Sequence, residues 1–320
     1  MRALVTGADG FAGQWLVRAL VEAGDEVAGA SRSAPLPLQT LGPMASGVDW
    51  HRADVRDFEA LVSLLQRVRP QVVYHLAAQA SVPASLDDPL ATFGVNVMGT
   101  AALLEACRKN VPDARVISVG SADAYGRVDP AQLPLREDAP LNPNNPYAAS
   151  KAAAELLALQ YARCGWLDVV AVRPFNHTGP GQSPSFAAPA FASQIAAIKA
   201  KALPPVLKTG DLCARRDISD VRDTVEAYRL LGSGMGKAPV YNVCSGRAVS
   251  MGEIVDELQS IAGVRVTLEP DPARMRSVQT PVLLGDAAAL KRDTGWSARI
   301  SLRQTLSDLY EWFAAEQQPV

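Results

Sequence analysis

The segment Thr6-Gly7-Ala8-Asp9-Gly10-Phe11-Ala12-Gly13 constrains this chain more than any other. It follows a short apolar run at residues 2–6. It precedes residues 14–23, where Leu16, Val17, Leu20 and Val21 recur at helical spacing. A strand that enters a helix through glycines has room for a tight turn and for close approach of its backbone to a ligand. The amides of a first helical turn have no partner within the helix, and the helix dipole places positive charge there. Such a turn suits a phosphate. In a strand–turn–helix setting the pattern points to a dinucleotide.

The alternation continues. Residues 26–30, 48–53, 71–77, 115–119 and 168–172 read as strands, and residues 58–68, 95–107 and 147–161 as helices. The strands are continuously apolar, as strands covered on both faces are. Strands alternating with helices imply right-handed βαβ units. The expected fold class is α/β, a doubly wound Rossmann-type parallel sheet with a smaller C-terminal α/β lobe for the substrate. After Arg173 the pattern changes. Residues 176–186 hold two glycines and two prolines and read as a loop. Residues 240–243 read as one more strand and 251–261 as one more helix, and 268–281 are marked by proline and arginine. The expected division is 1–172 for the dinucleotide-binding domain, with a return segment at about 220–243, and 173–219 with 244–320 for the substrate lobe.

Composition narrows the function. The chain has 320 residues, 48% of them hydrophobic, and a net charge of −2. That excludes disorder, and it lacks the basic excess of a nucleic-acid binder. No run reaches the roughly 18 consecutive apolar residues of a membrane span. The N-terminus runs straight into a strand, unlike a secretory signal. Four scattered cysteines and three histidines show no metal-ligand spacing. The expectation is a cytoplasmic enzyme of small molecules, with no metal.

The second predicted strand ends in Ala30-Ser31-Arg32-Ser33. A carboxylate there would bind a ribose 2′-hydroxyl and favour NAD. Arg32 would pair with a 2′-phosphate instead, so NADPH is expected, with NADH as the alternative. Further on, Tyr147-Ala148-Ala149-Ser150-Lys151 opens a helical pattern. Residues i and i+4 share a helix face, so phenol and ammonium can converge. A neighbouring cation favours the phenolate and is expected to lower the tyrosine pKa from about 10. Such a tyrosine can exchange a proton with a carbonyl or alcohol oxygen. The strand at 115–119 ends in Ser118-Val119-Gly120-Ser121-Ala122-Asp123, and strand ends of this kind border the ligand crevice.

The TGxxGFxG spacing, the Tyr147–Lys151 motif and Asn96-Val97-Met98-Gly99-Thr100 together resemble the extended short-chain dehydrogenase/reductase family. The resemblance implies that Gly7, Gly10, Phe11 and Gly13 form the pyrophosphate turn. It implies that Asp54 and Val55 contact the adenine, and that Leu76, Ala77 and Ala78 line the cofactor. Ser121, Tyr147 and Lys151 become the catalytic triad, with Lys151 also on the ribose. Gln79, Ser81 and Asp123 face the substrate. Dehydratases of the family carry a glutamate where this chain has Asp123, and many carry a polar group where it has Ala122. That counts against elimination at the sugar C5.

Arg173-Pro174-Phe175-Asn176-His177-Thr178-Gly179-Pro180-Gly181-Gln182 and Asp271-Pro272-Ala273-Arg274-Met275-Arg276 resemble segments of reductases acting on GDP-4-keto-6-deoxyhexoses, the enzymes forming GDP-D-rhamnose. The resemblance implies that Asn176, Arg216 and Arg276 hold the nucleotide sugar, and it gives His177 no role. It implies a homodimer through the helices at 95–107 and 147–161. The alternative is a GDP-mannose 4,6-dehydratase or a 4-epimerase that retains its cofactor.

Overall fold

The computed structural model describes residues 1–33, 40–274 and 280–317. Its first half runs β1 (Arg2–Thr6), α1 (Phe11–Glu22), β2 (Glu26–Ser31), β3 (Asp49–Arg52), α2 (Phe58–Val68) and β4 (Val72–His75). Short helices α3 (Val82–Asp87) and α4 (Pro89–Phe93) lead through a π turn at Gly94–Met98 into α5 (Gly99–Asn110). Then come β5 (Arg115–Val119), α6 (Pro146–Arg163) and β6 (Asp168–Pro174). The second half runs β7 (Asn176–Thr178), α7 (Ala187–Lys199), β8 (Val206–Thr209), β9 (Arg215–Asp220), α8 (Val221–Gly232) and β10 (Val240–Val243). It ends with β11 (Ala248–Ser250), α9 (Met251–Ala262), β12 (Thr267–Pro270), β13 (Val282–Leu283), α10 (Ala288–Thr294) and α11 (Leu302–Glu316).

Seven parallel strands form one sheet in the order β10-β6-β5-β4-β1-β2-β3. Register explains the continuous apolar runs. Val5, Tyr74, Ile117 and Val170 stand side by side across four strands and face α1 and α8. The neighbouring row of Leu4, Val73, Val116 and Val169 faces α2, α5 and α6. Each strand therefore buries both its odd and its even side chains. The strand order reverses between β1 and β4, and the crevice outside their carboxyl ends is where such sheets bind ligands.

The second half builds smaller sheets. Strands β11, β9 and β13 pair in that order, β7 also pairs with β9, and β12 pairs with β8. Helices α7, α9 and α11 close over them around Ile195, Ile254, Leu258, Leu309 and Phe313. Two returns matter: α8 packs against α1, and β10 adds itself beside β6. The expected loop at 176–186 needs correction, because Asn176–Thr178 is a strand in register with Ile218–Asp220 of β9. That pairing is made with a distant segment, which local composition cannot report.

Candidate active site

The glycine turn is built by close approaches. Gly7 has φ +70°, and a Cβ on it would lie 2.7 Å from the amide nitrogen of Ala77. A Cβ on Gly13 would lie 2.1 Å from the Gly7 carbonyl oxygen. Helix α1 starts after Gly10 with no side-chain cap. Its first amides thus face the crevice unclaimed by a side chain, at the positive end of the dipole. A cradle without Cβ atoms in front of an uncapped helix fits a dinucleotide pyrophosphate.

Around it, Val55 is buried and sits against Gly99, where a Cβ would come within 2.7 Å of its Cγ2. Asp54 takes the Arg56 guanidinium at 2.7 Å, and that hydrogen bond holds its carboxyl down to about 2. Arg32 is exposed at the end of β2 and adds to the positive field on Asp54. Leu76, Ala77 and Ala78 follow β4 directly and are partly exposed.

Helix α6 starts at a defined place. Asn145 accepts the Ala148 amide at 2.9 Å, and Pro146 supplies the first turn. This presents Tyr147 and Lys151 from one buried face, with the Tyr147 amide on Ser85 Oγ at 3.2 Å. The Ser121 hydroxyl lies near enough to the Tyr147 phenol to favour its ionised form, and it receives the Asp123 amide at 3.1 Å. Lys151, on the same buried face of α6, reaches back to β5. Its Nζ donates to the Val119 carbonyl at 2.8 Å, and burial brings its pKa down to about 8. The expected lowering of the Tyr147 pKa is overturned. Burial, reinforced by the negative charge of Asp123, pushes the phenol above its usual range and outweighs the nearby Ser121 hydroxyl. Tyr147 is therefore a proton-loaded acid at neutral pH.

A buried ionic cluster braces this corner. Arg173 makes a two-pronged pair with Glu155 of α6 (2.8 and 2.7 Å) and donates to Tyr125 Oη at 2.8 Å. Tyr125 closes the short 3-10 turn that begins after Ser121, and its hydroxyl reaches Asn242 of β10 at 2.7 Å. One arginine thus ties the helix of Tyr147 and Lys151 to the loop of Ser121. A charged residue at the end of an apolar strand, and a lone glutamate in an alanine-rich helix, are the signals that a buried pair exists.

The residues expected at the substrate are dispersed. The Gln79 amide is held within the chain, its Nε2 on Thr92 at 3.1 Å and its Oε1 on the Ser81 amide at 2.5 Å. Ser81 caps α3. Asp123 stands beside Ser121 and within charge range of Tyr147. Asn176 is exposed at the start of β7. Arg216 lies on the adjacent β9 and donates to the Thr280 carbonyl at 2.8 Å. Arg276 lies outside the described residues.

His177, given no role from sequence, stacks on Phe11 of the glycine turn with ring centres 6.1 Å apart and planes 9° from parallel. The Trp15 indole donates to the Pro180 carbonyl at 3.0 Å. The loop after β7 is thereby fastened to the start of α1. A histidine two residues before a glycine–proline turn was the available sign.

The family model described as GDP-mannose 4,6 dehydratase matches residues 4–309. The chain is 38% identical to the GDP-6-deoxy-D-mannose reductase of Pseudomonas aeruginosa over 97% of both chains. It is 32% identical to the UDP-glucose 4-epimerase of Mycolicibacterium smegmatis over 99% of this chain and 100% of that one. Among solved structures, RMD from Pseudomonas aeruginosa complexed with NADPH superposes with a TM-score of 0.86 at 34% identity, covering 99% of this chain and 100% of that one.

Proposed function

The chain belongs to the GDP-mannose 4,6-dehydratase family of extended short-chain dehydrogenases/reductases, and we propose that it is a reductase within it. It reduces the C4 carbonyl of a GDP-4-keto-6-deoxyhexose to give GDP-6-deoxy-D-mannose, that is GDP-D-rhamnose, with NADPH or NADH as reductant. The observation that carries this is the full-length likeness to the reductase, on a site that sets Ser121 beside a buried Tyr147.

The bound reduced nicotinamide supplies the hydride. The chain's own residues do the rest. Gly7, Gly10 and Gly13 admit the pyrophosphate to the helix start, and Arg32 takes a 2′-phosphate. Tyr147 holds its proton at neutral pH and delivers it to the oxygen on C4. Ser121 hydrogen-bonds that oxygen as charge builds on it. Lys151, cationic below about 8, compensates the phenolate left behind. Asp123 binds a sugar hydroxyl beside the phenol, and Asn176 and Arg216 bind the nucleotide end, with Arg276 as a further diphosphate ligand.

We assign a homodimer to the face carrying Leu90, Met98 and Leu156, exposed to 85%, 64% and 55%. Met98 and Leu156 lie on the two helical stretches expected to pair, whose other sides are core, and Leu90 lies on the short helix α4 just before the first of them. The cysteines are unpaired, in keeping with a cytoplasmic enzyme.

The test is to add GDP-4-keto-6-deoxymannose and NADPH to the purified protein and follow absorbance of the reduced nicotinamide. Stoichiometric loss with a GDP-6-deoxyhexose product is expected. No loss, together with a keto sugar formed from GDP-mannose without added reductant, would overturn the reading in favour of a dehydratase with Asp123 as base.

A further inference from the structure

Beneath the site, one imidazole joins three elements. Thr6 Oγ1, at the end of β1, lies 2.8 Å from His75 Nδ1, and Thr100 Oγ1, in α5, lies 2.9 Å from Nε2. Proton counting gives each bond a direction. Thr100 has one hydroxyl proton, and it goes to the Asn96 carbonyl at 2.6 Å. Its oxygen must therefore accept from Nε2–H. Nδ1 is then bare, and the Thr6 hydroxyl donates to it. Thr6 Oγ1 also receives the Ala77 amide at 3.4 Å, just where Gly7 presses on Ala77.

The chain of bonds continues to the catalytic helix. Asn96 Nδ2 donates to Ser150 Oγ at 2.9 Å and to the Gln79 carbonyl at 3.0 Å, while its Oδ1 accepts the Gln79 amide at 2.8 Å. Ser150 then donates to the Tyr147 carbonyl at 2.7 Å. Every one of Thr6, His75, Thr100, Asn96 and Ser150 is buried, so each unmade bond would leave a polar group away from water.

We propose that His75 is a positioning residue of this site: a neutral imidazole, protonated on Nε2, that holds the glycine turn and the first turn of α6 in register. It meets neither substrate nor cofactor itself, and it acts through Thr6 on one side and through Thr100 and Asn96 on the other. Burial and the nearby positive charge of Lys151 both keep the ring neutral. The role rests on the proposed reduction only where turnover is the readout.

The experiment uses full-length protein loaded with NADPH. Nitrogen–proton correlation spectra of the histidine rings are recorded, with His75→Asn assigning the His75 signal. A proton on Nε2 and a bare Nδ1, unchanged from about pH 5 to 9, are expected. In parallel, His75→Phe keeps an aromatic ring in place and removes both bonds. It is expected to lower kcat about tenfold and weaken NADPH binding several-fold, with little change in the sugar KM. His75→Asn, whose amide offers an acceptor and a donor, should recover most of both.

A proton on Nδ1, or a ring titrating near 6.5, would overturn the proposal. So would an Asn variant that folds yet is as impaired as the Phe variant, or a Phe variant that binds NADPH like the parent. If His75→Phe fails to fold, the spectrum and the Asn variant still decide. Spectrum and NADPH affinity need no turnover. A wild-type protein that reduces no keto sugar therefore refutes the proposed function without touching the role of His75.

Discussion

The large sheet and the C-terminal lobe are held together by different means. In the sheet four of the six neighbouring pairs join strands consecutive in the chain, and the rows that meet the helices are apolar. In the lobe the strands are short and polar, and their partners are far apart in the chain: β9 pairs with β7, β11 and β13. Its anchor is one buried carboxylate. Asp217 accepts the Ser245 amide at 2.8 Å, the Ser245 hydroxyl at 2.6 Å, the Gly246 amide at 2.9 Å and the Gly285 amide at 3.3 Å. Burial pushes its pKa up and those bonds oppose the shift. Under the proposed function this becomes a division of labour: chemistry would sit on a frame built mainly from local apolar patterns, and recognition on one tied together by a single carboxylate.

The largest effect that sharpens this contrast belongs to Tyr147. Tyr147→Phe should lose about 10²–10⁴ in kcat while NADPH binding, read by fluorescence, stays intact. Unchanged turnover would remove the phenol from the chemistry. Next comes the buried pair in the first region. Arg173→Met leaves Glu155 uncompensated at 1% side-chain exposure and should cost about 3–5 kcal/mol in denaturant unfolding. Should it cost under about 1 kcal/mol, the clamp between α6 and the Ser121 loop is not structural.

Asp217→Ala should cost about 2–4 kcal/mol and raise the KM for the nucleotide sugar more than the NADPH dissociation constant. The reverse ranking of those two constants would break the division of labour. The smallest effect is on pH. Lys151 is cationic below about 8, so reduction should slow as pH rises through that value. The unfolded lysine keeps its proton to about 10.4, so over the same window the unfolded state binds more protons and this group makes stability rise with pH. Activity and this stability term therefore move in opposite directions, and Lys151→Met should flatten both slopes.

Much of the sheet was legible because its code is local. Strands β1 and β5 and helix α2 fall at their expected bounds, since a continuous apolar run or an Asp57 cap marks each one. The lobe was mostly illegible. Strand β9 reads Arg-Arg-Asp-Ile-Ser-Asp, which has no apolar pattern, and helices α7, α8 and α11 escaped notice beside it. At the site, residue types and spacing pointed to Tyr147 and Lys151, but the sign of the phenol's shift did not follow. Spacing says nothing about which carbonyl an ammonium finds, and Lys151 finds Val119. The stack of His177 on Phe11 joins two segments that no local window spans.

The late return of β10 has a consequence for synthesis on a ribosome. Strand β6 ends at Pro174, and the strand that covers its edge begins only at Val240. At about 5–20 residues per second, the open edge waits on the order of several seconds for its partner. Nascent chains would expose a ready template for intermolecular pairing during that interval. Slowing translation between these two strands should therefore lower soluble yield, although the finished protein is the same.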